Sequence, residues 1–312
     1  MLSISLDSKT VLQSFNRLHR IIFANGDGQS RNLTFRRKKM KKLFVTLFAL
    51  AFVLVSGPAF SSDLELAKKS TLETIVKAGE IRVGFESGYL PFEMTNTKGQ
   101  YIGFDIDMGK QLAKAMGVTY TPVNTAWDGI IPSLITNKFD IIISGMTCTQ
   151  ERNLAVNFTD PYIVVGQAIL LNKKHEGVVK SYKDLNDPKY TITSKLGTTG
   201  EQAVKRMIPR ATYKSFEVET EAVMEVIQGN ADATVYDLPL IEIMQAQHGA
   251  GKTVALTEPF TFEPLAMAVR KGDPDFLNFL NNFVRQYKND GRWQRSYDKW
   301  IKSDEWQKDL QN

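Results

Sequence analysis

Twice in this chain a helix end turns through a short polar link into a buried strand that stops at polar residues. Leu134–Ser144 (LITNKFDIIIS) and Val226–Tyr236 (VIQGNADATVY) share that order, each with an aspartate just before or within the strand. An apolar strand of this kind is stable only when both of its faces are covered, as in a parallel sheet flanked by helices. Two such strands, far apart in a chain of 312 residues, therefore predict two similar α/β lobes.

The pattern around the first copy reads βαβαβ. A helix over Leu64–Lys77, restarted at Ser70, precedes strand Ile81–Phe85. Helix Asp105–Met116 follows, closed by Gly117, then strand Val118–Val123, helix Asp128–Thr136 with Asp128 as its N-cap, and strand Phe139–Ile143. Pro161–Asn172 is a long extended run, after which the pattern restarts. Strands Tyr190–Thr193, Ala211–Ser215, Ala231–Val235 and Thr253–Leu256 alternate with helices Glu201–Met207, Glu219–Gln228 and one from Asp237 to about Gln247. A second extended passage leads to strand Leu265–Val269 and two closing helices, Asp275–Asn289 and Trp293–Lys302. Residues 62–163 and 263–312 then form lobe 1, and residues 164–262 form lobe 2. Two crossings, about Tyr162–Gly166 and Pro259–Pro264, make a hinge, and small ligands bind in the cleft such a hinge closes.

The net charge of +5 misleads about the folded part. Ten of the 39 basic residues but only two of the 34 acids lie in residues 1–61, so the remaining 29 bases and 32 acids give −3. Nucleic acid is not an expected partner. The basic excess belongs to an export signal. Arg36–Lys42 (RRKKMKK) is a positive segment, Leu43–Val55 is an apolar run too short for a spanning helix, and Ala59-Phe60-Ser61 offers small residues for cleavage. Residues 40–61 read as a cleavable signal peptide, and 1–39 as an upstream extension from a misassigned start. A periplasmic location follows. With one cysteine, Cys148, and three scattered histidines, neither a disulfide nor a metal site is expected. No cofactor is implied.

The strand of the first copy runs into Ser144-Gly145, then Thr147, Thr149 and Arg152. Ligands in α/β sheets sit beyond the carboxyl ends of strands, and a guanidinium there is a bidentate receptor for a carboxylate. The strand of the second copy ends at Asp237, which by itself reads as a helix N-cap. Thr198 and Thr199 stand at a helix start, where free N–H groups suit an anion, or equally where threonines simply cap. Tyr89 and Trp127 follow strand ends and suit either a ligand or the core.

Seven stretches in order resemble one family. They are IRVGFESGYLPFEM (81–94), YIGFDIDMGKQLAKAMGV (101–118), AWDGIIPSLITNKFDIIISGMTCTQER (126–152), VNFTDPY (156–162), KLGTTGE (195–201), ADATVYD (231–237) and GRWQRSYDKW (291–300). Together, over about residues 70–303, the chain resembles the periplasmic polar amino-acid-binding proteins of ABC importers. The resemblance implies the two-lobed type II periplasmic-binding-protein fold (the Venus flytrap) and a monomer that delivers a polar amino acid to a membrane permease. It assigns the ligand α-carboxylate to Arg152, with the Thr147 hydroxyl assisting, and the α-ammonium to Asp237; Ser144, Gly145 and Thr147 offer main-chain groups on one loop, and Thr199, with Thr198, stands at a helix start whose N–H groups suit the carboxylate. It assigns a side-chain sandwich to Tyr89 and Trp127, and the far end of the side chain to Glu86 and Lys195. The two charges conflict, which leaves glutamine-like and basic ligands equally open. No catalytic residue is implied. An enzyme on the same fold, resembling cyclohexadienyl dehydratase, is the alternative. Cys148 reads as a small filler without a histidine to activate it.

Overall fold

A computed structural model describes residues 70–311. The expectations for residues 1–61 and for the start of the first helix lie outside these residues.

Two five-stranded sheets share one strand order. In the first, β4 (Thr119–Asn124), β1 (Glu80–Phe85) and β5 (Ile141–Ile142) run parallel, and β14 (Ala268–Val269) lies antiparallel between β5 and β6 (Asn157–Phe158). In the second, β10 (Thr212–Phe216), β9 (Thr191–Lys195) and β11 (Ala233–Asp237) are parallel, and β8 (Gln167–Asn172) lies antiparallel between β11 and β12 (Thr253–Leu256). In each sheet the antiparallel strand arrives from the other lobe. The two-lobed fold follows directly, and the sheets are mixed rather than purely parallel. A small ribbon, β2 (Met94–Thr95) with β3 (Tyr101–Ile102), hangs from the first lobe.

The crossings pair with one another. β7 (Ile163–Val165) runs antiparallel to β13 (Glu263–Leu265) through three residue pairs. The next residue, Gly166, has no room for a side chain: a Cβ there would lie 2.6 Å from the Thr261 carbonyl oxygen.

Helices cover both sheets. On lobe 1 these include α1 (Thr71–Ala78), α2 (Phe104–Met116), α3 (Trp127–Ile135), α8 (Pro274–Asn289) and α9 (Arg292–Tyr297). On lobe 2 they are α5 (Thr199–Met207), α6 (Glu219–Gln228) and α7 (Leu238–His248). A short α4 (Gln150–Ala155) follows the loop after β5. Ser70 caps α1, and left-handed Gly117 ends α2, as their chemistry predicts.

Four expected elements come out differently. Helix α3 starts at Trp127 with Ala126 at its N-cap, so Asp128 lies in the first turn and Trp127 is helical rather than in a loop. The strand expected over Phe139–Ile143 is regular only at Ile141–Ile142, although Asp140 and Ile143 still donate to carbonyls of β1. The strand expected over Leu265–Val269 breaks at Ala266 and Met267. There the Ala266 N–H goes to the Met146 carbonyl and the Met267 N–H to the Thr159 hydroxyl, as the chain leaves the hinge ribbon for the first sheet. The last expected helix, Trp293–Lys302, ends as α9 at Tyr297 and continues as a wider π turn.

Candidate functional site

The carboxyl ends of β1, β5, β9 and β11 face one small cavity. Its walls include Glu86, Tyr89, Trp127, Ser144, Gly145, Thr147 and Arg152 from the first lobe. The second contributes Thr198, Thr199 and Asp237. Ten of the eleven expected residues thus meet here. Lys195 stands behind this wall.

Arg152 sits on α4, whose first turn is fixed by Thr149 capping the Arg152 N–H. The side chain folds back so that its guanidinium donates to the Thr147 carbonyl at 3.0 Å and, across the cleft, to the Gly197 carbonyl at 3.2 Å. Its flat face lies over the Trp127 ring, 5.1 Å from the centroid. Burial pulls its pKa down, with the carboxylates of Glu263 and Asp237 opposing. Among the described residues no carboxylate is within ion-pair distance of this guanidinium.

Asp237 occupies the N-cap position of α7, but its side chain does not cap the helix. It accepts from the Tyr89 hydroxyl of the other lobe and from Gln167 Nε2 at 2.6 Å. Burial raises its pKa to about 7, even though the Tyr89 and Gln167 hydrogen bonds pull the other way. A carboxylate that ignores the helix beside it and turns into a cavity has a use other than capping.

The loop after β5 is shaped by close approach. Gly145 has φ 49, and a Cβ on it would lie 2.3 Å from the Tyr89 ring. Its N–H donates to buried Asp105 at 2.6 Å, and Ser144 donates to Glu93 at 2.6 Å while accepting the Glu86 N–H. The side chain of Thr147 meets that of Thr199 across the cleft at 3.4 Å. Thr198 caps α5 and also donates to the Lys195 carbonyl, so its hydroxyl is already engaged. Trp127 Nε1 donates to the Gly197 carbonyl at 3.0 Å, and Tyr89 packs against Phe92 and edge-on to Tyr236.

Lys195 is 3% exposed and pairs with Glu86 from the first lobe and with Glu219 at 2.8 Å. Burial alone would lower its pKa, but the two carboxylates more than reverse this and raise it. Glu86 and Lys195 meet each other in an ion pair, and the Trp127 main-chain N–H also donates to Glu86 at 3.1 Å. Cys148 packs on the first-lobe core, and burial pushes its thiol pKa up.

Four lining residues escaped the sequence reading: Glu93, Gln167, Gly200 and Tyr236. Gln167 and Glu93 each interrupt an apolar stretch (VVGQAILL and LPFEM), and a lone polar residue in a buried strand is the signal that marks them. Gly200 is forced, because a Cβ there would lie 2.7 Å from Ser194 Oγ. Among the described residues no group of acids, histidines or cysteines is placed to hold a metal ion.

A cleft between two hinged α/β lobes, lined by opposed charges and closed by contacts between the lobes, defines a binding protein for a small polar ligand. Residues 81–303 match the bacterial extracellular solute-binding proteins, family 3, and the chain belongs to that family. A candidate binding component of an ABC transporter from Wolinella succinogenes DSM 1740, solved in complex with lysine, is 53% identical. That match covers 74% of this chain and 99% of the other, with a TM-score of 0.72. The ABC transporter glutamine-binding protein GlnH of Bacillus subtilis is 32% identical over 85% of this chain and 99% of its own. The cyclohexadienyl dehydratase of Pseudomonas aeruginosa is more distant, 23% identical over 75% of this chain and 87% of its own.

Proposed function

We propose that this solute-binding protein captures a polar α-amino acid between its lobes and presents it to the permease of an ABC importer. The observation that carries this reading is the placement of Arg152 and Asp237. They bring opposite charges from opposite lobes to one cavity, and among the described residues neither is spent on a salt bridge. A ligand α-carboxylate then takes the guanidinium, helped by the Thr147 hydroxyl and the N–H groups at the start of α5. Its α-ammonium takes Asp237, displacing the Tyr89 hydroxyl or sharing the carboxylate with it. A ligand that bridges the lobes favours the closed arrangement by its contacts to both. Residues 40–61 direct export as a cleavable signal peptide, and the mature protein works as a monomer outside the cytoplasmic membrane.

Isothermal titration with the amino acids, their α-amides and their N-acetyl forms tests the headgroup assignment. Free amino acids of one side-chain class are expected to bind, and both blocked forms to lose at least about 100-fold, as truncating a desolvated charge pair does. Equal binding of the blocked forms would refute it. We read the protein as non-catalytic. The dehydratase relative makes arogenate and prephenate the assay substrates, and no turnover is expected.

A further inference from the structure

The stretch GRWQRSYDKW (291–300) puts no residue into the ligand cavity. Its tryptophans turn inward. Trp293 Nε1 donates to the Tyr162 carbonyl at 2.8 Å, and buried Trp300 donates to Asp107 at 2.8 Å. Its other side chains have a different destination. Arg292, Arg295, Ser296 and Lys299 recur at helical spacing along α9 and the turn that continues it, and Asp107, Lys110 and Gln111 do the same on α2. Helices that lie side by side ordinarily meet through apolar groups. Phe104 of α2 and Trp293 of α9 do so, ring edge to ring face. The polar sets instead line a second pocket, open at the surface of the first lobe, that shares no residue with the cleft.

Four cations line this pocket, and two acids answer them. Arg292 donates to Asp290 at 2.6 Å. Lys299 lies 3.6 Å from Asp107, whose Oδ2 already accepts from Trp300. Lys110 and Arg295 make no ion pair among the described residues, so two positive charges stand in excess. Shape holds Arg295 in place: a Cβ on Gly291 would lie 3.1 Å from its Nη1. Among these cations sits Ser296, which is 8% exposed and whose hydroxyl has no partner among the described residues. Like charges gathered in this way repel, and a buried hydroxyl without a partner is costly. One acceptor-rich anion relieves both.

We propose that this pocket binds a phosphoryl dianion, either inorganic phosphate or a phosphate monoester carried on a lipid. A phosphoryl group of that kind carries about −1.5 to −2 charge at pH 7, which matches the excess, whereas a single carboxylate answers only half of it. The groups free to bind are donors. Arg295 offers the fork of its guanidinium, Lys110 and Lys299 their ammonium groups, and Gln111 an amide, while the Ser296 hydroxyl gains the acceptor it lacks. The bound anion ties α2 to α9. No bond is made or broken. All of these residues belong to the first lobe, so the site does not depend on lobe closure or on which ligand the cleft takes.

The test is titration calorimetry of the exported protein with sodium phosphate at about pH 7, the ionic strength held constant with sodium chloride. One saturable site with a Kd of about 1 mM or tighter is expected. Arg295→Gln combined with Lys110→Gln changes two exposed, unpaired groups and leaves the core alone. It is expected to weaken phosphate at least about 10-fold while amino-acid binding in the cleft stays as it was. Ser296→Ala is expected to weaken phosphate about 3-fold or more without lowering the Tm of the phosphate-free protein, because the hydroxyl it removes has no partner there. Sedimentation with vesicles of phosphatidic acid, against vesicles of phosphatidylcholine, separates the two sources. Sedimentation with the first alone, lost in the double variant, assigns the pocket to a lipid phosphate, and calorimetric binding without sedimentation assigns it to the free ion. If neither phosphate nor phosphatidic acid binds, the proposal is overturned. It is overturned equally if either probe binds the double variant as it binds the wild type, which would mean diffuse surface charge and no built site.

Discussion

The two lobes are built on the same strand order but present different groups to the cleft at the same place. Past the third strand of the first sheet, β5, the chain makes a loop of small polar residues and only then a helix, which brings Arg152 back over the loop. Past the third strand of the second sheet, β11, there is no loop. Asp237 ends the strand and α7 begins at once. The first lobe therefore presents an adjustable side chain backed by hydroxyls and N–H groups. The second presents a carboxylate fixed by strand and helix together. On the proposed reading, one scaffold supplies a cationic and an anionic receptor through a difference of a few residues in one connection.

Replacing Arg152 with alanine breaks that comparison most severely. The ligand carboxylate would be left with neutral donors only, and an affinity loss of about 1000-fold is expected by calorimetry, near the upper part of the 2–5 kcal/mol range for desolvated charge pairs. Retained affinity would place the carboxylate elsewhere. Asp237→Asn keeps the shape of the second lobe and removes its charge. About 100-fold is expected, less than for Arg152, because Asn keeps an acceptor for the ammonium. If the two substitutions prove equal, the second lobe is no passive partner. Trp127→Phe removes a single hydrogen bond to the Gly197 carbonyl and leaves a ring under Arg152. A loss of about 5-fold, roughly 1 kcal/mol, is expected, and no loss would mean that this contact forms at no net gain.

A separate effect, on stability rather than affinity, is one of pH. The folded protein holds the Asp237 proton up to about 7, against 3.8 for the free group, so it binds more protons than the unfolded chain in between. Stability of the ligand-free protein therefore falls as pH rises from about 4 to about 7 and then levels. In Asp237→Asn the fall is shallower by calorimetric Tm. An unchanged fall would assign it to the first-lobe acids, Asp105, raised to about 7, and Glu93, both raised by burial.

Much of this was legible in the sequence because strand ends, glycines and caps are local. Gly117 and Ser70 act where local chemistry puts them, and the two turn-and-strand repeats do seed two sheets. The antiparallel strands were not legible as such. β8 read as part of an extended run and β14 as part of a strand, and only the return from the opposite lobe sets their direction. Ten expected residues converge because each stands at a strand end or helix start. Glu93 and Gln167 stayed hidden because their importance comes from what faces them, Ser144 and Asp105 for one, Asp237 and Thr199 for the other, and those neighbours lie far away in the chain. The pairing of Lys195 with Glu219 is likewise a tertiary event.

The contact at Gly197 has a meaning for how this protein can change over generations. Arg152 and Trp127 of one lobe both donate to a carbonyl oxygen of the other, at a turn where Gly197 has φ 72. A main-chain oxygen is present whatever residue stands there, so no substitution of a side chain deletes it. Only a change in the path of the turn moves it, and there glycine is the residue that holds the path without strain. The half of the latch that belongs to the second lobe is thus inherited as shape, while the half that belongs to the first is inherited as two particular side chains. Drift in such a protein is expected to spare the latch on one side of the cleft and to test it on the other.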